Sequence, residues 1–258
     1  MHPILNIAIR AARKGGNNII QFYDKKIFND FEKKKIFIQE IYKTRKIIIN
    51  IIKNSYPQHN IFTKYNSIKF KNFKNPIWII NLFNGKKNFL KKFPNFCISI
   101  VIFFKKILNI SVIYDPFRNE IFTAVKGNGA QVNGYRMRCS SFNSLNKSYF
   151  SLKLKSIFLN KKKKYLKILK NLFKKGVIFR TTSLIPLDLS YLSDGRIDFM
   201  LDFNFKINNY YSGILQVKES GGIISDYKGG CNYNNKIAII ANNSNLLKLI
   251  INEIKLLI

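Results

Sequence analysis

The sequence predicts a mixed α/β chain in which helices and strands stack as layers, and three observations carry that expectation. Apolar residues recur at helical period near the N-terminus, with Ile4, Ala8, Ala11, Gly15 and Ile19 along one face. From Ile77 onward the period changes to that of strands. In the second half, helix-like and strand-like segments alternate. With 47% hydrophobic residues among 258, the chain can bury a substantial core and is not a disordered one.

Residues 3 to about 23 read as a helix with Pro3 in its first turn. A lysine-rich run from 32 to 52 reads as a second helix, ended by Lys53-Asn54-Ser55 and Pro57. Between them, residues 27–31 have weak helix character and are left unplaced. Strands are expected at 77–81, 96–104, 110–114 and 120–125, separated by Lys105-Lys106 and by the Asp115-Pro116 turn. The glycines of KGNGAQVNG at 126–134 suit tight turns. No helix pattern follows that Gly-x-Gly, which excludes a dinucleotide or phosphate-loop fingerprint. Beyond it come a strand at 149–154, a lysine-laced helix at 160–175, a strand at 177–180, a helix at 187–193 and a strand at 197–202. A helix at about 210–220, strands at 222–225 and 237–241, and a helix from Ser244 complete the chain. The lysines at 161–164 read as a solvated helix start. No internal repeat is found, and the whole reads as a single unit with approximate subdomains 1–140 and 141–258.

The formal net charge of +32 favours polyanionic partners, phosphate groups above all. Lysine dominates that charge alongside an excess of Asn, Ile, Phe and Tyr, the joint bias that AT-rich coding produces, so part of the charge carries no functional meaning. Its distribution is more telling. No Asp or Glu occurs between Glu40 and Asp115. The apolar run from Cys97 to Phe104 is far shorter than the roughly 18 to 20 residues of a membrane span. The N-terminus lacks a charged lead followed by an apolar stretch and a cleavage site, and a cytoplasmic protein is expected. Three widely spaced cysteines, Cys97, Cys139 and Cys231, suggest neither a disulfide framework nor a zinc site.

The stretch WIINLFNGKKNF at 78–89 resembles the signature W-[VI]-I-D-P-[LI]-D-G-T-x-N-F of the inositol monophosphatase family, magnesium-dependent phosphomonoesterases. VIYDPFRNEIFTAVKGNGAQVNG at 112–134 is the best-preserved block of that resemblance, which spans essentially the whole chain. It implies a layered αβαβα sandwich. It also implies where a metal site would lie, and there the chemistry departs from the family. The four positions that hold magnesium through carboxylates are matched by Lys64, Asn81, Asn84 and Asn209, and the threonine that orients the attacking water by Lys86. Four carboxylates have become one lysine and three asparagines, a formal change from −4 to +1, which Lys86 and Lys87 raise to +3. Magnesium wants negative oxygen ligands, so neither a bound metal nor catalysis is expected. The three lysines are instead expected to converge on phosphate if the family's geometry holds.

On the substrate side the resemblance implies Gly85, Lys86, Arg180 and Asp202, the last either a contact to substrate hydroxyls or an ordinary strand-end carboxylate. His2 and His59 sit beside no nucleophile signature and read as surface residues. A bacterial branch of the family serves ribosomal RNA antitermination together with NusA and RNA polymerase and assists RNA folding. The resemblance therefore implies those partners, RNA or phosphate binding, and a homodimer. A magnesium-dependent inositol-1-monophosphatase is the alternative.

Overall fold

Strand β2 (Ile77–Asn84) is apolar at almost every position because both of its faces are covered, as for central strands of layered α/β folds. It belongs to a computed structural model that describes residues 2–23, 30–63, 74–153, 162–203, 205–233 and 237–255. The chain divides into two units, Met1–Tyr135 and Arg136–Ile258.

The first unit opens with helices α1 (Pro3–Tyr23) and α2 (Asp30–Ser55). A seven-stranded sheet follows, in the order of the chain: β1 (Asn60–Phe62), β2, β3 (Cys97–Phe104), β4 (Ile107–Asp115), β5 (Glu120–Val125), β6 (Gly129–Val132) and β7 (Tyr135–Arg136). Strand β1 pairs in parallel with β2, and the pairs from β2 to β6 are antiparallel meanders. Trp78 and Ile80 of β2, Ile98, Ile100 and Ile102 of β3, and Ile110 and Val112 of β4 point to one face and form a core with Ala8, Ala11, Ile19 and Ile48 of the helices. The alternate residues, among them Ile79, Val101 and Ile113, are buried on the opposite face.

In the second unit the sheet order is β11-β12-β10-β8-β9. Its strands are β8 (Tyr149–Lys153), β9 (Ile178–Phe179), β10 (Phe199–Asp202), β11 (Ile223–Asp226) and β12 (Ala238–Ala241). Helices α4 (Lys162–Lys174) and α7 (Ser244–Lys255) meet Phe150, Phe199, Leu201 and Ile239 on one face. Helices α5 (Ile185–Ser193) and α6 (Tyr211–Glu219) meet Met200, Ala238 and Ile240 on the other. The period-2 alternation along β10 and β12 thus serves two cores at once.

Four elements depart from the sequence expectation. The short strands β1 and β7 are not expected from the sequence, KGNGAQVNG contains β6 as well as turns, and helix α3 (Lys86–Leu90) follows β2 directly. Of the unplaced stretch at 27–31, residues 27–29 lie outside the described residues and α2 begins at Asp30.

Two glycines let α1 lie close on its neighbours. A Cβ at Gly15 would stand 2.6 Å from Ile48 Cδ1, and one at Gly16 2.4 Å from the Tyr114 ring. Alanine would favour the helix by about 1 kcal/mol. Overpacking costs about 1–3 kcal/mol and should win at Gly16, because Tyr114 is buried and its hydroxyl donates to Asn119 Oδ1 at 3.0 Å, so the ring cannot swing aside. Gly16→Ala is therefore expected to lower the urea midpoint of the protein, followed by circular dichroism, despite its better helix propensity.

Candidate functional site

The C-terminal end of β2 leaves the regular ladder. Asn81 pairs with Ser99 and Asn84 with Cys97, so three steps on β2 stand against two on β3. Such a bulge re-aims side chains, and here two asparagines meet. Asn81 Nδ2 donates to Asn84 Oδ1 at 2.7 Å. Asn84 Nδ2 in turn donates to the Cys97 carbonyl at 3.2 Å and to Ser99 Oγ at 3.3 Å. A carboxamide carries its own donor and can close this chain unaided; two carboxylates have no proton to share and need a cation between them.

Gly85 follows with φ 103°. A Cβ there would stand 2.7 Å from the Asn95 carbonyl oxygen, so the chain's own fold requires the glycine whether or not a ligand approaches. In α3, Phe89 is buried against Phe22, Phe37, Phe83 and Phe96. Lys86 is exposed with its ammonium 5.2 Å from the centre of the Phe37 ring, a cation–π contact, and Lys87 is exposed beside it. Lys64 lies outside the described residues.

In the second unit, Asp202 ends β10 and is wholly buried. Its Oδ2 receives the Lys153 ammonium at 3.3 Å and a short hydrogen bond from the Tyr210 hydroxyl. Burial, with the charge of Asp202 beside it, pushes the Tyr210 hydroxyl far above the usual phenol range and keeps it a donor. Asp202 is thus no ordinary strand-end carboxylate at the surface. Its sequence gave no hint of this, because Lys153 and Tyr210 lie 49 and 8 residues away. Asn209 is exposed at the end of a 3-10 turn (Ile207–Asn209) before α6. Arg180 is exposed, its guanidinium 5.9 Å from the Tyr149 ring centre.

A further carboxylate escaped the sequence reading. Asp188, buried in the first turn of α5, accepts the Thr182 N–H and hydroxyl on Oδ1, at 2.7 and 2.8 Å. Its Oδ2 accepts the Ser151 and Thr181 hydroxyls, at 2.7 and 2.8 Å. It fastens the loop that follows Arg180. Burial raises its pKa, against the pull of those bonds. An acid in the first turn of a helix that also carries a proline there was the available signal.

His59 is a correction. It is half-buried, stacked on Tyr56 at 4.5 Å, and its Nδ1 accepts the Trp78 indole N–H at 2.9 Å. Burial, then the nearby Lys53 charge, hold its pKa below the ordinary imidazole value. His2 is likewise half-buried, its ring 6.3 Å from that of Phe104.

The model of the inositol monophosphatase family matches residues 1–257. The chain belongs to the inositol monophosphatase family. Among the family's members it is 52% identical over 230 residues to the Nus factor SuhB of Buchnera aphidicola subsp. Schizaphis graminum, covering 88% of this chain and 85% of that one. To the Nus factor SuhB of Escherichia coli K12 it is 37% identical over 255 residues, 96% and 94% of the two chains. Its fold, an α/β sandwich, is similar to the crystal structure of the suppressor protein SuhB from Bartonella henselae, with TM-score 0.80 and 27% identity over 98% and 99% of the chains.

The inositol monophosphatase resemblance implies magnesium at the asparagine pair, and the residues present do not fit it. A magnesium site of this kind is anchored by carboxylate oxygens, whereas here the two side chains are neutral amides, the Asn84 oxygen is engaged by an amide N–H and its nitrogen is turned to Cys97 and Ser99. Among the described residues, no group of three or more His, Cys, Asp or Glu is placed to hold a metal ion.

Two outcomes are expected of these contacts. Tyr210→Phe should destabilise the second unit by about 1–3 kcal/mol, because a buried carboxylate loses a donor, and Lys153→Met should cost more; chemical denaturation of the two variants checks the order. For His59, the folded pKa is depressed, so its contribution to stability is complete above about pH 6.5 and is lost as pH falls through the folded value. The wild-type thermal midpoint should therefore drop between pH 7.5 and 5 by more than that of His59→Asn, whose amide oxygen can accept the indole proton at any pH.

Proposed function

We propose that this chain acts by binding, as a catalytically degenerate Nus factor of the SuhB type. In that role it supports ribosomal RNA antitermination and ribosome biogenesis in the cytoplasm through contacts with NusA and RNA polymerase. The observation that carries the proposal is the Asn81–Asn84 hydrogen bond, which closes with an amide proton the place where a phosphatase of this family needs a cation. The similarity to proteins named Nus factor SuhB, at 37–52% identity, supports the binding half of the reading.

Catalysis would require a metal-activated water, and the nearest substitutes do not supply one. Lysine ammonium groups at 86 and 87 can attract a phosphate but cannot lower the pKa of a water as Mg²⁺ does. His59, a general base by type, spends its Nδ1 on Trp78.

The competing reading is a magnesium-dependent inositol-1-monophosphatase, which the family match alone favours. One preparation decides between them. Purified protein with millimolar Mg²⁺ and inositol 1-phosphate is expected to release no phosphate, and the same protein is expected to capture NusA or RNA polymerase without added metal. Magnesium-stimulated turnover that Asn84→Ala abolishes would overturn the degenerate site, and recovery of neither partner at physiological salt would overturn the binding role.

A further inference from the structure

Helix α1 has a second stripe beside the one it buries. Where it crosses β3 and β4 it covers the sheet, but the sheet continues through β5 and β6, and the step between helix and strands leaves a cavity of about 660 Å³. Arg10, Arg13 and Lys14 line its helical wall. None of the described residues that line it is acidic. Leu5, Ile9 and Ile121 give it an apolar floor, and the amide side chains of Asn6, Asn17, Gln131 and Asn133 stand around it. Arg13 is held in place, its Nη1 donating to Asn119 Oδ1 at 3.0 Å with the guanidinium 5.6 Å from the Tyr114 ring centre. Arg10 and Lys14 are exposed, and one residue past the lining Gly134 stands Tyr135, 79% exposed.

Three cations within about one turn of one helix repel one another, so the groove favours an anion. Its other features narrow the choice. Inorganic phosphate would meet the cations and leave the floor wet. An acidic peptide would satisfy the charges and the amide groups, but its acidic side chains carry no flat apolar ring for the floor. A nucleotide offers all three partners, a phosphate for the cations, an apolar ring for the floor, and an edge with donor and acceptor side by side that matches a carboxamide. The volume falls in the range of small-ligand clefts, about 300–1,000 Å³. We propose that this groove binds single-stranded RNA, with backbone phosphates against Arg10, Arg13 and Lys14 and a base on the Leu5, Ile9 and Ile121 floor, its edge met by Gln131. The site deepens the RNA-directed role proposed above and rests on it for the kind of nucleic acid, while its binding is measurable on purified protein without NusA or polymerase.

The test is fluorescence anisotropy of a short fluorescein-labelled single-stranded RNA of mixed sequence across a salt series. Arg10→Glu/Lys14→Glu is compared with Lys167→Glu/Lys170→Glu, which makes the same charge change at exposed positions of α4 in the other unit. The groove variant is expected to bind at least about tenfold more weakly at physiological salt. Its plot of log affinity against log salt should flatten by about 1.4, roughly 0.7 for each lost phosphate contact. The α4 variant should lose about threefold or less. Gln131→Leu keeps the charge and should weaken binding several-fold with the salt slope unchanged. Equal losses in the two charge variants overturn the proposal, as does tighter capture of polyglutamate than of RNA by the wild type, which would assign the groove to an acidic protein segment. If circular dichroism shows the charge-reversed protein misfolded, Arg10→Ala/Lys14→Ala takes its place, and Gln131→Leu decides independently. A wild type that binds RNA through the groove but recovers neither NusA nor polymerase would sink the proposed function and leave the groove standing; the reverse pattern would sink the groove alone.

Discussion

The difference between a carboxylate and a carboxamide governs this molecule. Strand β2 carries buried apolar residues from Ile77 to Ile80 and again at Leu82, and presents Asn81 and Asn84 across a bulge, so a core strand runs directly into the candidate site. With aspartates at both places, that end of the strand would hold two negative charges close together and would depend on a bound cation for its order. With asparagines it is self-sufficient. The amide of one residue satisfies the oxygen of the other, and the remaining N–H bonds tie Asn84 to β3. The same economy recurs at Asp202, where Lys153 supplies positive charge from the neighbouring strand to a wholly buried acid. A buried ion pair is weak support for stability by itself. Its bearing here is on availability, since an oxygen shared by an ammonium and a phenol is poorly placed to meet a substrate hydroxyl.

The fold was largely legible in the sequence because periodicity reports burial. Helices α1 and α2, the central strands of the first sheet and the alternation of the second half all announce themselves by which residues are apolar. What escaped was set by contacts distant along the chain. Strand β1 is three half-buried residues, and nothing in Asn60-Ile61-Phe62 says strand until β2 lies beside it. Helix α3 is five residues long and exists because Phe89 reaches an aromatic cluster drawn from both helices, β2 and the residue just before β3.

The site divides along the same line. Which residues stand at the signature positions is a matter of sequence, and the asparagines could be read at once. That Asn81 and Asn84 would bond to each other, that Gly85 is required by Asn95, and that Lys86 would settle over Phe37 depend on tertiary geometry. Asp188 and His59 were misjudged or missed for a related reason: the first gathers partners from β8 and the loop after β9, and the second is half-buried because Trp78 and Tyr56 close around it.

That last enclosure has a spectroscopic consequence. Trp78 is the only tryptophan in the chain, it has no solvent exposure, and its indole nitrogen ends on an imidazole. Emission excited at the red edge of the absorption band therefore comes from one place, the junction of α2, β1 and β2 in the first unit. A protonated imidazole beside an indole is a quencher, whereas a neutral one that accepts its hydrogen bond is a far weaker one. The intensity of this single emitter thus carries the charge state of His59, and its wavelength the dryness of the core behind it, so the first unit can be followed without a label while the second remains dark.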